Sequence, residues 1–318
     1  MNAAMPPFQT APLRVGTRGS PLALVQTRAF IALLGSARSV QLREQIISTT
    51  GDQVQDRPLA EVGGKGLFAK EIHEALADFR IDCAVHSLKD LETELPPGIV
   101  LACTLKREDP RDALILGPDC GADDPADPFA CLPQGAVIGT SSVRRQAQLL
   151  HARPDLTIGP MRGNVQTRLA KVASGDCAAS LLALAGLRRL GLAQHASAVL
   201  DPDTMLPAAC QGIVGITARA DDTGLRDLLA AIEDPDATTA ALAERAMLAE
   251  LDGSCRTPIA AHARLLPGGE LHLTGLVARA DGSFLLKRSL RGAATDAKRL
   301  GAELGASLRA DSPHDIVG

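Results

Sequence analysis

The chain has 318 residues, enough for two or three domains of ordinary size, and 46% of them are hydrophobic, as in a protein with sizeable cores. Six Phe with no Trp and no Tyr leave little for bases to stack on, and a net charge of −4 lacks the basic surplus of a nucleic-acid binder, so no nucleic-acid partner is expected. No apolar run approaches the roughly 18 residues of a membrane span, the start MNAAMPPFQTAPLR lacks a signal-peptide pattern, and seven cysteines without a CxxC pair suit a reducing cytoplasm rather than a disulfide framework or a metal site.

In chain order, LRVGT reads as a strand ending near Thr17. Ser20 and Pro21 then supply an N-cap and a first helical position for SPLALVQTRAFIALLG, which Gly35 can close. QLREQIIST is the next strand, followed by a glycine-rich loop and the helix LFAKEIHEALADF, apolar at spacings of three and four. IDCAVHS and GIVLACTL are strands, and the alternation predicts crossover connections and a mostly parallel sheet. After the polar crossing KREDPRD the pattern begins again, with ALILG, AVIGT, LTIG and CAASLLA as strands. Two similar α/β halves predict a bilobed body with a ligand cleft outside the carboxyl ends of the strands. From about residue 231 the style changes. The helix ATTAALAERAMLAEL precedes PIAAHARLL, ELHLTGLVAR and SFLLKRSL, strands joined by Pro-Gly-Gly and Asp-Gly turns. With the final helix DAKRLGAELGASL over one face, these predict an α+β domain with a small antiparallel sheet.

Positive charge is concentrated between Gly139 and Arg189, where eight basic residues meet two acidic ones. GTSSVRRQ places Arg144 and Arg145 where a strand hands over to a helix. Free N–H groups at a helix start, helped by Ser and Thr hydroxyls, attract anions, and a guanidinium fork matches a carboxylate or phosphate with two parallel hydrogen bonds. Taken alone, the motif reads equally as a capped helix with solvated arginines. MRGNVQTRLA repeats it with Arg162 and Arg168, and VGTRGSPLA with Arg18 before the Ser20 cap. AGLRRLGL adds Arg188 and Arg189, a pair that also suits a plain polar helix face. The repetition points to a ligand with several negative groups.

HSLKD sets Lys89 and Asp90 just after the strand IDCAVHS, where an acid beside a cation can position a cationic centre and pass a proton; a surface ion pair is the plain alternative. His86 reads as a core histidine. EVGGKGLFAKE resembles a phosphate loop but has Leu59 and Gly66 where one needs Gly and Ser or Thr, so it reads instead as a mobile lid with Lys65 and Phe68 on or beside it. In LDGSCRTPIA, Cys255 lies in a turn directly before Arg256, whose charge favours a thiolate. Reactive and inert readings both stand for this thiol, and no Cys–His–Asn spacing supports a protease.

From about Val15 to the last helix the chain carries, in order, TRGSPLAL, GDQ…PLAEVGGKGLFAKEI, AVHSLKD, EDPRDA, GTSSVRRQ, RGNVQTRL, LAGLRRLGL, LPAACQGIVGI and ERAMLAELDGSC…PIA. With these motifs it resembles the porphobilinogen deaminase (hydroxymethylbilane synthase) family, transferases of tetrapyrrole, hence porphyrin and heme, biosynthesis. The resemblance implies three domains: two periplasmic-binding-protein-like α/β lobes (1–105 with 207–230, and 106–206) and an α+β domain (231–318) carrying a cysteine loop. It implies that Cys255 holds a dipyrromethane cofactor through a thioether. Onto this primer four porphobilinogen molecules are joined head to tail, each losing ammonia, before linear hydroxymethylbilane is released. Asp90 matches the family's catalytic aspartate. Lys89, Asp90, Thr140, Ser142, Arg144, Arg145, Arg162 and Arg168 are implied toward the cofactor. Arg18, Ser20, Lys65, Phe68, Arg162, Arg168, Arg189 and Gln211 are implied toward the substrate. No metal is implied, and the expected form is a cytoplasmic monomer. Glu61, Gly19 and the Arg256–Thr257 pair depart from the family pattern. Cys210 does not match the anchor. The rival reading is a polycarboxylate solute-binding protein of the same bilobed fold, against which the missing export signal, the third domain and Cys255 all count.

Overall fold

The computed structural model describes residues 11–53, 66–121, 127–251 and 257–316. They divide into two compact units, one of residues 11–53, 66–107 and Ile213–Thr238, the other of Glu108–Gly212, 239–251 and 257–316.

The first unit opens with β1 (Leu13–Thr17), α1 (Pro21–Arg38), β2 (Leu42–Ile46) and the short α2 (Thr50–Gln53). It continues with α3 (Lys70–Ala77), β3 (Cys83–Ser87) and β4 (Ile99–Thr104). Two elements come from much later in the chain, β10 (Val214–Arg219) and α7 (Thr223–Ala230). The sheet runs β2-β1-β3-β10-β4; β1 is parallel to β2 and β3, whereas β10 is antiparallel to β3 and β4. The sheet is therefore mixed rather than mostly parallel, because β10 returns from the second unit instead of arriving through a helical crossover. Successive side chains of β3 point to opposite faces, so Cys83 and Val85 join Phe30, Leu34 and Leu225 on one side while Ala84 joins Ile72, Leu76 and Ile81 on the other. Burying Phe30 completely is worth about 1.5 to 3 kcal/mol to this core. Helix α1 runs past Gly35 to Arg38: Ser39 adopts the left-handed cap conformation (φ 51°) and donates its N–H to the Gly35 carbonyl. Helix α3 is shorter than its pattern suggests, since the residues from Gly66 to Ala69 form turns.

The second unit holds β5 (Asp112–Leu116), β6 (Val137–Gly139), α4 (Val143–Ala152), β7 (Thr157–Gly159) and α5 (Val165–Ala173). Then come β8 (Ala179–Ala183), α6 (Leu184–Arg189) and β9 (Ala198–Val199). Its sheet, β7-β6-β8-β5-β9, repeats the mixed plan, parallel around β6 and antiparallel around β5. Leu114 and Leu181 face one core with Ile138 and Leu149, while Ile115 and Leu182 face another with Met161 and Val172.

The same unit ends in α8 (Pro235–Glu250, counted with this unit from residue 239), the antiparallel meander β11 (Ile259–Leu266), β12 (Glu270–Ala278) and β13 (Leu285–Ala293), and α9 (Ala297–Asp311). Leu300, Leu304 and Leu308 of α9 are buried, as Met247 of α8 is. Ala147 of α4 packs with Leu206, Ala260, Leu276 and Ala278, which joins the meander to the α/β layer of this unit. The turn before β13 makes that joint tight. Gly282 has φ +76°, and a Cβ there would lie 2.5 Å from the His151 nitrogen and 2.6 Å from the Leu150 carbonyl carbon. Gly282→Ala is therefore expected to cost about 1 to 3 kcal/mol, seen as a lower melting temperature. Gly268→Ala, also at positive φ but with nothing within 4 Å, is the matched control and should cost less.

Candidate active site

In the first unit, the turns that follow β1 and β3 bring Arg18, Ser20, Ser87 and Asp90 around one pocket, with Phe68 and His86 also lining it. Ser20 caps α1 by accepting from the Ala23 N–H at 3.3 Å. Arg18 is oriented from two sides. It donates through Nε and Nη2 to Asp52, which also accepts from Thr49 Oγ1 at 2.8 Å, and its guanidinium carbon lies 4.0 Å from the centre of the Phe68 ring. Burial works against the Asp52 carboxylate, but Arg18 and Thr49 outweigh it and hold its pKa below the usual carboxylate range. Beyond β3, a 3₁₀ turn over Leu88–Asp90 is fixed by the buried Leu88, whose N–H reaches the Ile213 carbonyl at 3.0 Å. That turn leaves Asp90 exposed at the pocket. Ser87 exchanges hydrogen bonds with Gln26 at 3.0 and 3.1 Å. His86 is the core histidine its strand suggested. Its Nε2 meets Thr217 Oγ1 at 2.9 Å, and burial, with His73 and Arg18 nearby, pushes its pKa down to about 3. It is therefore neutral at pH 7, which leaves Asp90 as the carboxylate among the described lining residues.

In the second unit, β6 hands over to α4 through Thr140 and Ser142. Thr140 Oγ1 accepts from the Ser142 N–H at 3.1 Å, and Ser142 is the N-cap. Arg144 and Arg145 are not solvated; each is 5% exposed. Arg144 donates to Asp112 Oδ2 at 2.8 Å and to the Leu206 carbonyl at 2.7 Å. Arg145 donates to Asp112 Oδ1 at 2.7 Å and to the Leu181 carbonyl at 2.8 Å. Gln211 Nε2 adds a third donor to the same carboxylate at 2.8 Å. Burial opposes the charge on Asp112, but the two guanidinium groups and Gln211 drive its pKa far below the ordinary carboxylate value. Two buried cations against one carboxylate leave this cluster a net positive charge. Arg145 Nε is also buried with no hydrogen-bond partner among the described residues.

The remaining arginines lie at element ends of the same unit. Arg162 is half-buried just before α5, whose N-cap Asn164 accepts from the Thr167 N–H at 2.9 Å. Arg168 Nε reaches back to the Gly163 carbonyl at 3.0 Å. Arg189 donates to the Gly212 carbonyl at 2.6 Å; burial lowers its pKa, with Glu108 opposing. Arg188 is exposed and paired with Glu108 at 2.8 Å, the polar helix face its sequence allowed. Lys89 is half-buried beside Asp90 in the first unit. Cys255, Lys65, Glu61 and Arg256, with most of the proposed lid, lie outside the described residues. Two acids went unrecognised in the sequence: Asp112, although it lies within the EDPRDA motif, and Asp52, which orients Arg18. A larger cavity of about 400 Å³ beside the end of α4 is a poorer candidate, since its cations Arg153 and Lys287 are already paired with Asp155 and Asp203.

The family model described as porphobilinogen deaminase, dipyromethane cofactor binding domain, matches residues 13–227, and the porphobilinogen deaminase C-terminal domain matches residues 238–310. Porphobilinogen deaminase of Paracoccus denitrificans is 48% identical over 308 residues, covering 96% of each chain. The chain belongs to the porphobilinogen deaminase family. That of Sorangium cellulosum is 50% identical over 93% of this chain and 98% of its own, and the chloroplastic enzyme of Oryza sativa subsp. japonica is 48% identical over 88% and 78%. The family consists of transferases of tetrapyrrole biosynthesis that act on porphobilinogen, with dipyrromethane as cofactor. Each pyrrole unit of such a ligand carries an acetate and a propionate. The donors present fit that group: the Asp112 cluster keeps a net positive charge and a buried, unpartnered Arg145 Nε. Among the described residues, no helix is long and apolar enough to cross a membrane.

Proposed function

We propose that the chain joins four porphobilinogen molecules head to tail, with loss of ammonia, on a dipyrromethane held by Cys255 through a thioether, and then releases linear hydroxymethylbilane by hydrolysis. The observation that carries this reading is Asp90, an exposed carboxylate presented by a rigid turn in a pocket that also holds a fixed Arg18. The cofactor, when bound, supplies the pyrrole carbon to which the next unit is joined. Asp90 faces the pyrrole nitrogens, stabilises the cationic carbon left as ammonia departs, and assists the proton transfers of each addition. Arg18, Arg162, Arg168 and Arg189 hold ligand carboxylates and fix position. Lys89, Arg144 and Arg145 hold those of the cofactor, while Ser20, Thr140, Ser142 and Gln211 supply neutral hydrogen bonds. Lys65 and Phe68 lie on or beside the substrate. The three-domain division, a cytoplasmic location and a monomeric state complete the proposal.

Intact mass of the purified protein beside Cys255→Ser tests it. The wild type should carry an excess equal to two linked pyrrole units, and the variant none. Equal masses that stay equal after incubation with porphobilinogen would refute the attachment.

A further inference from the structure

Glu244 lies at the middle of α8 and is completely buried. Its carboxylate accepts two backbone N–H groups: Ala263 of β11 through Oε1 at 2.6 Å, and Cys210 through Oε2. Cys210 is itself unusual. It is buried and holds φ +61°, a left-handed conformation that residues other than glycine rarely adopt and that persists only where the surroundings enforce it. The segment around it meets the anion-binding residues. Gln211 donates to Asp112 and to the Pro110 carbonyl at 2.7 Å, and the Gly212 carbonyl receives Arg189 at 2.6 Å and the Glu108 N–H at 3.1 Å. One acceptor on α8 thus fixes the backbone from which Gln211 reaches Asp112, and through Asp112 the pair Arg144 and Arg145.

We infer that Glu244 is a positioning residue for binding of the pyrrole carboxylates, acting through the strained backbone at Cys210. The inference rests on the proposed function. Carboxylate chemistry is needed at this position because both of its oxygens accept. Glutamine would turn an N–H toward one of the two backbone N–H groups, and the repulsion would release Cys210 toward negative φ. Gln211 would then turn away from Asp112, and Gly212 from Arg189. A carboxylate that merely stabilised the protein would show no dependence on which residue occupies position 210.

The test compares wild type, Glu244→Gln, Cys210→Gly and the double variant, by the cofactor-bearing fraction in intact mass and by KM for porphobilinogen. Glu244→Gln should lose most of the cofactor-bearing species and raise KM at least about tenfold. The double variant should recover to within about twofold of Cys210→Gly, because glycine holds φ +61° without the clamp. Wild-type values for Glu244→Gln, or a double variant no better than Glu244→Gln, would overturn the inference. If Glu244→Gln is insoluble, a soluble and loaded double variant supports it, and an insoluble one overturns it. A wild type without the mass excess and without turnover would instead refute the proposed function.

Discussion

Asp90→Asn is expected to give a folded protein whose kcat falls by about 10²- to 10⁴-fold, the range set by losing a positioned acid–base group. Asp90 is exposed, and among the described residues no hydrogen bond or ion pair depends on its side chain, so the fold should not change. Asparagine keeps the shape and removes the negative charge that, in the proposed mechanism, stabilises the cationic carbon left as ammonia departs. Among the described residues there is no substitute: His86 in the pocket is held neutral by burial, and Asp52 behind Arg18 is committed to Arg18 and Thr49. Steady-state turnover together with intact mass checks the expectation. A variant that still carries the pyrrole mass but turns over slowly supports the role; turnover within tenfold of wild type removes it.

Asp112→Asn should have the largest effect on stability. The substitution leaves two guanidinium groups buried against a neutral amide that can satisfy only one of them with its oxygen. Breaking a buried charge pair this way costs about 3 to 5 kcal/mol, against a typical net stability of about 5 to 15 kcal/mol. The expected fall in melting temperature is on the order of 10 °C, read by calorimetry. The dependence on pH follows from the depressed pKa of Asp112. A carboxylate whose pKa is lower when folded contributes its stability in full above the unfolded value of about 3.9 and loses it as pH falls through the folded value. The gap between wild type and Asp112→Asn should therefore be constant near neutrality and shrink below about pH 4. A gap unchanged at low pH would mean that the carboxylate charge is not what holds the arginines.

The local signals in the sequence were readable because their physics is local. Ser20, Pro21 and Ser142 announce helix starts through contacts within three residues, and the alternation of Cys83, Ala84 and Val85 reports a strand buried on both faces. The resemblance implied both Arg18 and Phe68 toward the substrate, while the contact between the guanidinium and the ring is seen only in the fold. Other features were hidden for an equally physical reason. The direction of β10 depends on where the chain re-enters a sheet more than a hundred residues later, and no local periodicity encodes direction. Asp112 meets its partners 32, 33 and 99 residues away, so nothing near it in sequence marks it as the counter-charge of Arg144 and Arg145. Gly35 looked like a helix stop because glycine so often ends helices, yet Ser39 takes the left-handed position here.

The return of β10 also governs how the protein is made. The sheet of the first unit has β10 between β3 and β4, so those two strands have no common neighbour until Val214–Arg219 has been synthesised. At about 5 to 20 residues per second, translation leaves roughly ten seconds in which β3 and β4 have unpaired edges while Glu108–Gly212 is synthesised. The edges of β3 and β4 are thus without their common partner throughout this stage of synthesis, before the strand that completes the first sheet exists.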